Sequence, residues 1–413
     1  MRYVKFGRLA FEVSMLGLGC MRLPLQNEQL VSNTASGRLV DRALSVQLIR
    51  ESIDLGINYI DTAYTYQNGQ SELAVGEALT DGYREKVKLA TKLPVQLVKQ
   101  ATDLDRFLEL QLGRLKTDYV DFYLLHGLRD EWWDKMTSMD VLGYFDKWIG
   151  RGQIRHAGFS FHGSYDLFKL IIDSYDWAMC LVQQNYSKPE DQAGVRGVRY
   201  AASKGVPVVI MGPLLGGRLA DPPPEVAVLL EKRIEKRSPI EWAFRWPVSL
   251  PGVITVLSGM SSVEQVRENV RLFDTIDIGP LSEEEKEVYD KAAQSYRSRR
   301  KHTCTGCGYC MPCPHHVHVS FLMYLYGELS TYGATTRDRE TYHALQEQGR
   351  GASSCRHCGS CVSRCPQHLP VAELLRELDG ILSMPTPTEG NHMRVRPRLP
   401  VDLPDDRCRL RTR

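Results

Sequence analysis

The chain has 413 residues, enough for one large domain and a smaller one. Its 43% hydrophobic and 25% charged residues are ordinary for a globular protein, and a net charge of +2 gives no argument for a nucleic-acid or membrane partner. No apolar run approaches the roughly 18 residues of a membrane helix, and the opening Met1-Arg-Tyr-Val-Lys-Phe-Gly has no signal-peptide core, so a cytoplasmic protein is expected.

Residues 2–13 alternate around Gly7 and predict a short hairpin. From Ser14 onward, short apolar strands alternate with amphipathic helices. Strands are predicted at Met15–Leu18, Tyr59–Ile60, Lys88–Thr91, Val120–Leu124, His156–Phe159, Met179–Gln183, Val206–Met211 and Val253–Leu257. Helices are predicted near Val46–Leu55, Glu72–Leu79, Leu104–Leu115, Val141–Trp148, Tyr165–Ile172, Gly194–Ser203, Pro239–Trp246 and Val263–Leu272. Eight of each over about 270 residues fit an α/β fold, the (β/α)8 TIM barrel. A doubly wound sheet is the alternative, but no Gly-x-Gly-x-x-Gly follows an early strand.

Polar residues stand just past the predicted strand ends: Asp61, Lys92, His126, Ser160 and Gln183. In a barrel this is the catalytic face. Any one of them alone fits a satisfied buried polar group; five on successive strands point to a site. The loop after His126 carries Trp132 and Trp133, and the long first loop carries Leu23, Leu25 and Leu30. These line an apolar pocket or simply pack their loops onto the barrel, and the sequence favours neither. Glu283–Arg300 reads as a charged helix leaving the barrel, which places a boundary near residue 280. The expected domains are a barrel over 1–280, a cysteine-bearing, mostly helical domain over 281–383, and a Pro/Arg-rich tail over 384–413, extended or disordered.

Eight of the eleven cysteines form two sets: Cys304, Cys307, Cys310 and Cys313, then Cys355, Cys358, Cys361 and Cys365. The first three recur at an offset of 51 residues and the fourth at 52, and a proline follows each fourth cysteine. C-x2-C-x2-C with a later C-P is the ligation pattern of iron–sulfur clusters, for which soft thiolates are suited. Paired four-cysteine zinc sites are the rival, although those use C-x2-C pairs rather than triplets. The remaining Cys20, Cys180 and Cys408 are scattered and read as inert. Cys310 and Cys313 are separated by two residues where the second set has three, which loosens the assignment of Cys313. The insert between the sets has helix-like apolar spacing, Phe321, Leu322 and Leu325, then Tyr342 and Leu345. The whole segment resembles ferredoxin-type domains with two 4Fe–4S clusters. That resemblance implies crossed ligation, with Cys365 completing the first set and Cys313 the second.

The barrel half carries a second resemblance. Asp61-Thr62-Ala63-Tyr64-Thr65-Tyr66, Ala90-Thr91-Lys92-Leu93 and Asp121-Phe122-Tyr123-Leu124-Leu125-His126 resemble the aldo–keto reductase superfamily, as do Gly158-Phe159-Ser160, Val182-Gln183 and Glu268-Asn269. The resemblance covers roughly 1–275 and implies a tetrad: Tyr66 as proton donor, Lys92 and Asp61 as its tuning pair, and His126 beside a small carbonyl substrate. It also implies a nicotinamide cofactor whose carboxamide meets Ser160 and Gln183, with Met211 where an aromatic ring often stacks. Gly259, Gln265 and Asn269 would contact the rest of the nucleotide. The chain departs from the family pattern in three ways. Phe161 and His162 follow the serine instead of Asn, Met211 replaces the aromatic ring, and Ser258–Gln265 lacks the Lys and Arg offered to a 2′-phosphate, leaving Arg267 as the nearby cation. NADH is therefore at least as well suited as NADPH. The expected function is carbonyl–alcohol interconversion, with clusters exchanging electrons with a redox protein partner. An electron-transfer module and purely structural clusters are the alternatives. No flavin motif is evident to split a hydride into single electrons.

Overall fold

The computed structural model describes residues 1–26, 39–231 and 237–383. The chain opens with an antiparallel hairpin of β1 (Tyr3–Lys5) and β2 (Glu12–Ser14), with Tyr3 opposite Ser14. Eight parallel strands follow: β3 (Leu16–Gly19), β4 (Tyr59–Asp61), β5 (Lys88–Leu93), β6 (Val120–Leu128), β7 (Ile154–Phe161), β8 (Met179–Gln183), β9 (Val208–Met211) and β10 (Val253–Ser258). They close into a barrel in chain order, and β10 pairs with β3 through Val256 and Leu16. The helices between residues 42 and 275 are α1 (Arg42–Asp54), α2 (Gln70–Ala78), α3 (Thr102–Leu115), α4 (Asp130–Ser138), α5 (Val141–Gly150), α6 (Tyr165–Ile172), α7 (Gly194–Ser203), α8 (Pro224–Glu231), α9 (Pro239–Val248) and α10 (Val263–Thr275). The (β/α)8 fold expected from the sequence is the fold found.

The strand pattern follows from two-sided burial. Residues two apart share a face, and both faces are covered, so the strands read as nearly continuous apolar runs. Tyr59, Phe122, Leu124, Met179, Leu181 and Val209 fill the interior. Their neighbours Ile60, Tyr123, Leu125, Cys180, Val182 and Ile210 meet the helices. The helix starts are set by short polar side chains: Asp41, Ser164, Ser238 and Ser262 each accept a backbone N–H in the first turn of α1, α6, α9 and α10. Gly76 lets α2 lie on α3, because a Cβ there would sit 2.3 Å from the Arg114 carbonyl oxygen. The hairpin seals the N-terminal end of the barrel. Phe6 and Val13 are fully buried, and the Phe6 ring lies 4.7 Å from Phe122 and 5.2 Å from Phe11.

Two helices were not anticipated. The segment after His126 is α4, where Trp133 is buried in the barrel's outer core and Trp132 is packed against it, so these rings hold an element in place. The other is α8, whose start is hidden among Pro222, Pro223 and Pro224. Leu23 is a core residue and Leu25 packs against that core; Leu30, Cys408 and the 384–413 tail lie outside the described residues. Cys20 and Cys180 are buried, and burial pushes both thiols far above the usual range.

Backbone packing divides the chain into two units. One holds the barrel as far as Tyr289; the other holds Pro222–Leu229 and the residues from Asp290. The division falls inside α11 (Glu283–Arg299). The second unit contains α12 (Val319–Tyr332), α13 (Thr336–Glu347), α14 (Ser360–Ser363) and α15 (Val371–Leu382). The insert between the cysteine sets is thus helical, as expected. Leu322, Leu325, Tyr342 and Leu345 are buried there with Val317, Leu375 and Leu378 in a core of its own. No described helix is long and apolar enough to cross a membrane.

The cysteine repeat is also a repeat of backbone conformation. Gly306 and His357 both have positive φ (72° and 51°), as do Gly308 and Gly359 (79° and 76°) and His316 and His368 (61° and 52°). Left-handed residues at matched places give the two loops the same curl around their cysteines.

Candidate active site

Asp61 ends β4, Lys92 lies near the end of β5, and His126 lies near the end of β6; Tyr66 stands five residues past Asp61. The structure brings all four together at the C-terminal mouth of the barrel. Lys92 is fully buried, and its Nζ donates to Asp61 Oδ1 at 2.5 Å, to the Thr62 carbonyl at 2.7 Å and to Tyr66 Oη at 3.1 Å. The Tyr66 and His126 rings meet edge to face, 5.7 Å apart. Burial works against the Lys92 ammonium, but Asp61 and Tyr66 hold its pKa above the usual lysine value, so it stays charged. Burial raises the Tyr66 pKa while Lys92 pulls it down; the net upward direction keeps the resting phenol protonated. His126 is held well below the usual histidine value by burial, then by Lys92 and His162, so its imidazole is neutral.

Supporting contacts explain why these side chains stand where they do. Ser71 donates to the Cys20 carbonyl and shares a hydrogen bond with Thr62, fixing the peptide that receives Lys92. Behind β5, Gln111 donates to the Lys92 carbonyl at 3.1 Å and to buried Glu72 at 2.6 Å, and Arg114 pairs with the same carboxylate at 3.2 Å. Sequence reading missed Thr62, Glu72 and Gln111 in this role. Their only signal was an unusual number of polar residues flanking apolar strands.

The expected nucleotide contacts line the same rim. Ser160 ends up buried, its Oγ accepting the Gly127 N–H at 2.7 Å, so part of its hydrogen-bonding capacity is already used. Gln183 ends β8 on the interior-facing register, and Met211 ends β9 directly beside it. Gly259 is exposed after β10, the exposed Gln265 side chain accepts the Ser261 N–H, and buried Asn269 donates to Ser258 Oγ. Arg267 is committed to Glu51 at 2.8 Å. Some of the buried side-chain atoms without a protein partner belong to residues at or just past the C-terminal ends of the strands: Asp61 Oδ2, Gln67 Oε1, His126 Nδ1 and both amide atoms of Gln184. Since buried polar groups are normally satisfied, these atoms fit a mouth that receives polar ligands. Gln184 was not singled out from the sequence, where Gln183 took the role. His162 Nδ1 lies 3.2 Å from Gln192 Oε1, a polar contact one residue past Phe161, which itself directly follows Ser160.

In the second unit, Cys313 lines one cavity with Cys355, Cys358 and Cys361, and Cys310 also borders it. Burial raises the Cys361 thiol, with Cys355 and Cys313 adding to the effect. Cys307 and Cys358, the central cysteines of the two triplets, are exposed, and the other six are intermediate. Among the described residues no three His, Cys, Asp or Glu side chains converge as they would around a single ion. The donor set of soft sulfurs on two curled loops fits clusters chemically.

A closed parallel barrel with a Tyr–Lys–Asp–His group gathered around a buried Lys–Asp pair at its C-terminal mouth defines an oxidoreductase of the barrel class. The chain belongs to the aldo/keto reductase family, whose model matches residues 15–293, and a 4Fe-4S dicluster domain model matches residues 303–369. It is 28% identical over 309 residues to the uncharacterized oxidoreductase YqkF of Bacillus subtilis, covering 66% of this chain and 90% of that protein. It is 30% identical over 263 residues to the methylglyoxal reductase YeaE of Escherichia coli, covering 61% and 85%. Among solved structures it resembles the holo form of aldo-keto reductase AKR11C1 from Bacillus halodurans, with a TM-score of 0.57 and 28% identity over 71% of this chain and 96% of that one. It also resembles an aldo/keto reductase from Klebsiella pneumoniae solved with NADP and acetate, with a TM-score of 0.52 and 26% identity over 70% and 94%.

Proposed function

We propose that the barrel reduces a small carbonyl compound with NADH or NADPH, and that the second unit binds two 4Fe–4S clusters that exchange electrons with a redox partner. The observation carrying the first part is the buried Lys92 ammonium shared between Asp61 and Tyr66 Oη. A bound nicotinamide would supply the hydride, which no side chain can. Ser160, Gln183, Gln184, Met211, Gly259, Gln265 and Asn269 would hold it. Tyr66 Oη passes its proton to the substrate oxygen. Lys92 offsets the charge left on the phenolate, and Asp61 keeps Lys92 in position. Neutral His126 donates a hydrogen bond to the same oxygen and orients the carbonyl. With Arg267 tied to Glu51, nothing described between Ser258 and Asn269 offers a free cation to a 2′-phosphate, which supports NADH use. The methylglyoxal reductase relative makes small dicarbonyls the first substrates to try.

The second unit has its own apolar core, which weighs against clusters acting only as staples. Cys313 would complete the set of Cys355, Cys358 and Cys361, as their shared cavity supports, and Cys365 that of Cys304, Cys307 and Cys310. The protein should be purified anaerobically and nucleotide oxidation followed with methylglyoxal and related carbonyls. Absence of turnover with every carbonyl, despite nucleotide binding, would remove the reductase reading.

A further inference from the structure

We propose that the cysteine face of the second unit is the docking surface for an acidic protein that carries single electrons. The inference rests on reading the clusters as electron carriers and adds the chemistry of the partner.

The whole chain is nearly balanced, with 52 basic and 50 acidic residues, yet the cysteine loops are not. No Asp or Glu lies between Asp290 and Glu328, nor between Glu347 and Glu373. Those two stretches hold every cysteine of both sets together with Lys291, Arg297, Arg299, Arg300, Lys301, Arg350, Arg356 and Arg364. Lys301, His315, His316, Arg356, His357, Arg364 and His368 are exposed. His315, Arg356 and His357 border the cavity that holds Cys313, Cys355, Cys358 and Cys361, which places the Arg356 cation and two imidazoles at the cysteines.

Some of these cations have local work. Arg300 donates to the carbonyls of His302 and Cys304, and Arg364 donates to the Pro312 carbonyl and to Ser360 Oγ. Lys301 and Arg356 are different: their side chains are exposed and hold no ion pair among the described residues. Balancing the negative charge of a thiolate-bound cluster is the bland explanation for basic loops. It covers Arg300 and Arg364, which are bound into the loops, better than it covers two free side chains in screening solvent. Tyr309, 65% exposed between Cys307 and Cys310, adds an aromatic anchor of the kind enriched at protein interfaces. Exposed Cys307 and Cys358 put both loops within reach of a partner. Docking would allow one electron to pass from the reduced carrier to a cluster, the carrier being oxidised by one electron and no atom or proton moving. A nucleic-acid partner fits less well, because it asks for a long basic stripe to follow a phosphate backbone.

The test uses the full chain with clusters intact under anaerobic conditions, and a strongly acidic flavodoxin as probe. Association is followed by flavin fluorescence in stopped flow, from low salt to about 1 M, where screening is nearly complete. Lys301→Glu/Arg356→Glu should slow association by at least about tenfold at low salt, with the difference vanishing at high salt, while cluster absorbance stays unchanged. Lys301→Glu alone, three residues from the nearest cysteine, should give part of the effect and guards against a loop that fails to fold. An association rate indifferent to salt and to both variants overturns the proposal. Displacement of flavodoxin by duplex DNA or anionic vesicles at equal salt overturns the class of partner. Salt-dependent docking without bleaching of the clusters by reduced flavodoxin supports the surface and refutes the electron reading beneath it. Bleaching by a small viologen with no flavodoxin association overturns the surface and leaves the electron reading standing.

Discussion

Replacing Lys92 by Met keeps the side-chain volume and removes the ammonium, which leaves Asp61 buried without its partner. The two side chains are 1% and 2% exposed, and the lost contacts include the 2.5 Å ion pair and hydrogen bonds to Thr62 and Tyr66. Removing one member of a buried pair costs about 3–5 kcal/mol. Asp61 already has its pKa raised by burial, opposed by Lys92; without that opposition it rises further. A carboxyl that titrates higher in the folded than in the unfolded state favours folding only below its unfolded value, near ~3.9. Wild type and variant share that loss up to the wild-type folded value of Asp61; above it the variant goes on losing stability relative to wild type, by up to about 1.4 kcal/mol per pH unit until its own folded pKa is passed. The full penalty is expected near pH 8 and a much smaller one near pH 5. All six tryptophans lie between residues 132 and 246, so urea unfolding followed by tryptophan fluorescence reports the barrel unit. Asp61→Asn/Lys92→Met should recover most of the loss at pH 8. A penalty that is flat from pH 5 to pH 8, or a double variant no better than the single, would refute the buried ion pair as the source.

Three further outcomes are expected. Tyr66→Phe should lower kcat for carbonyl reduction about 10²–10⁴-fold with nucleotide affinity nearly unchanged; near wild-type turnover would dismiss Tyr66 as the acid. Fluorescence titration should show an NADPH affinity no more than about a hundredfold above that for NADH, or ~2.7 kcal/mol; a larger preference would mean that another cation meets the 2′-phosphate. Cys313→Ser, reconstituted anaerobically, should disturb the cluster proposed for Cys355, Cys358 and Cys361 rather than the one proposed for Cys304, Cys307 and Cys310, and electron paramagnetic resonance decides between them.

The barrel was legible because strands covered on both faces need unbroken apolar runs; Met179–Gln183, Tyr165–Ile172 and Gly194–Ser203 are found with the bounds expected. The order of Asp61, Tyr66, Lys92 and His126 showed which residues to compare, and folding places them in one group. Helix α4 was not legible. Two adjacent tryptophans in a polar stretch look like loop anchors until the backbone between Asp130 and Ser138 is seen to coil. The division between the units was expected near residue 280 and falls at Tyr289, within a helix whose sequence gives no sign of a break. Glu72 and Gln111 could not be assigned because their role depends on α2, α3 and β5 meeting, contacts between residues as many as 42 positions apart. The matched left-handed residues of the cysteine loops were hidden for another reason: one position of each pair is Gly306 or His357, and only the backbone shows that they do the same thing.

The hairpin that seals the barrel floor bears on the order of events in turnover. Among the described residues, Phe6, Phe11 and Phe122 pack together across one end of the barrel, while the tetrad stands at the opposite mouth. Two ligands that share one doorway cannot come and go independently. Whichever lies deeper must arrive first and depart last, so the kinetics should be compulsory-order, and release of the deeper ligand can set the pace of the whole cycle.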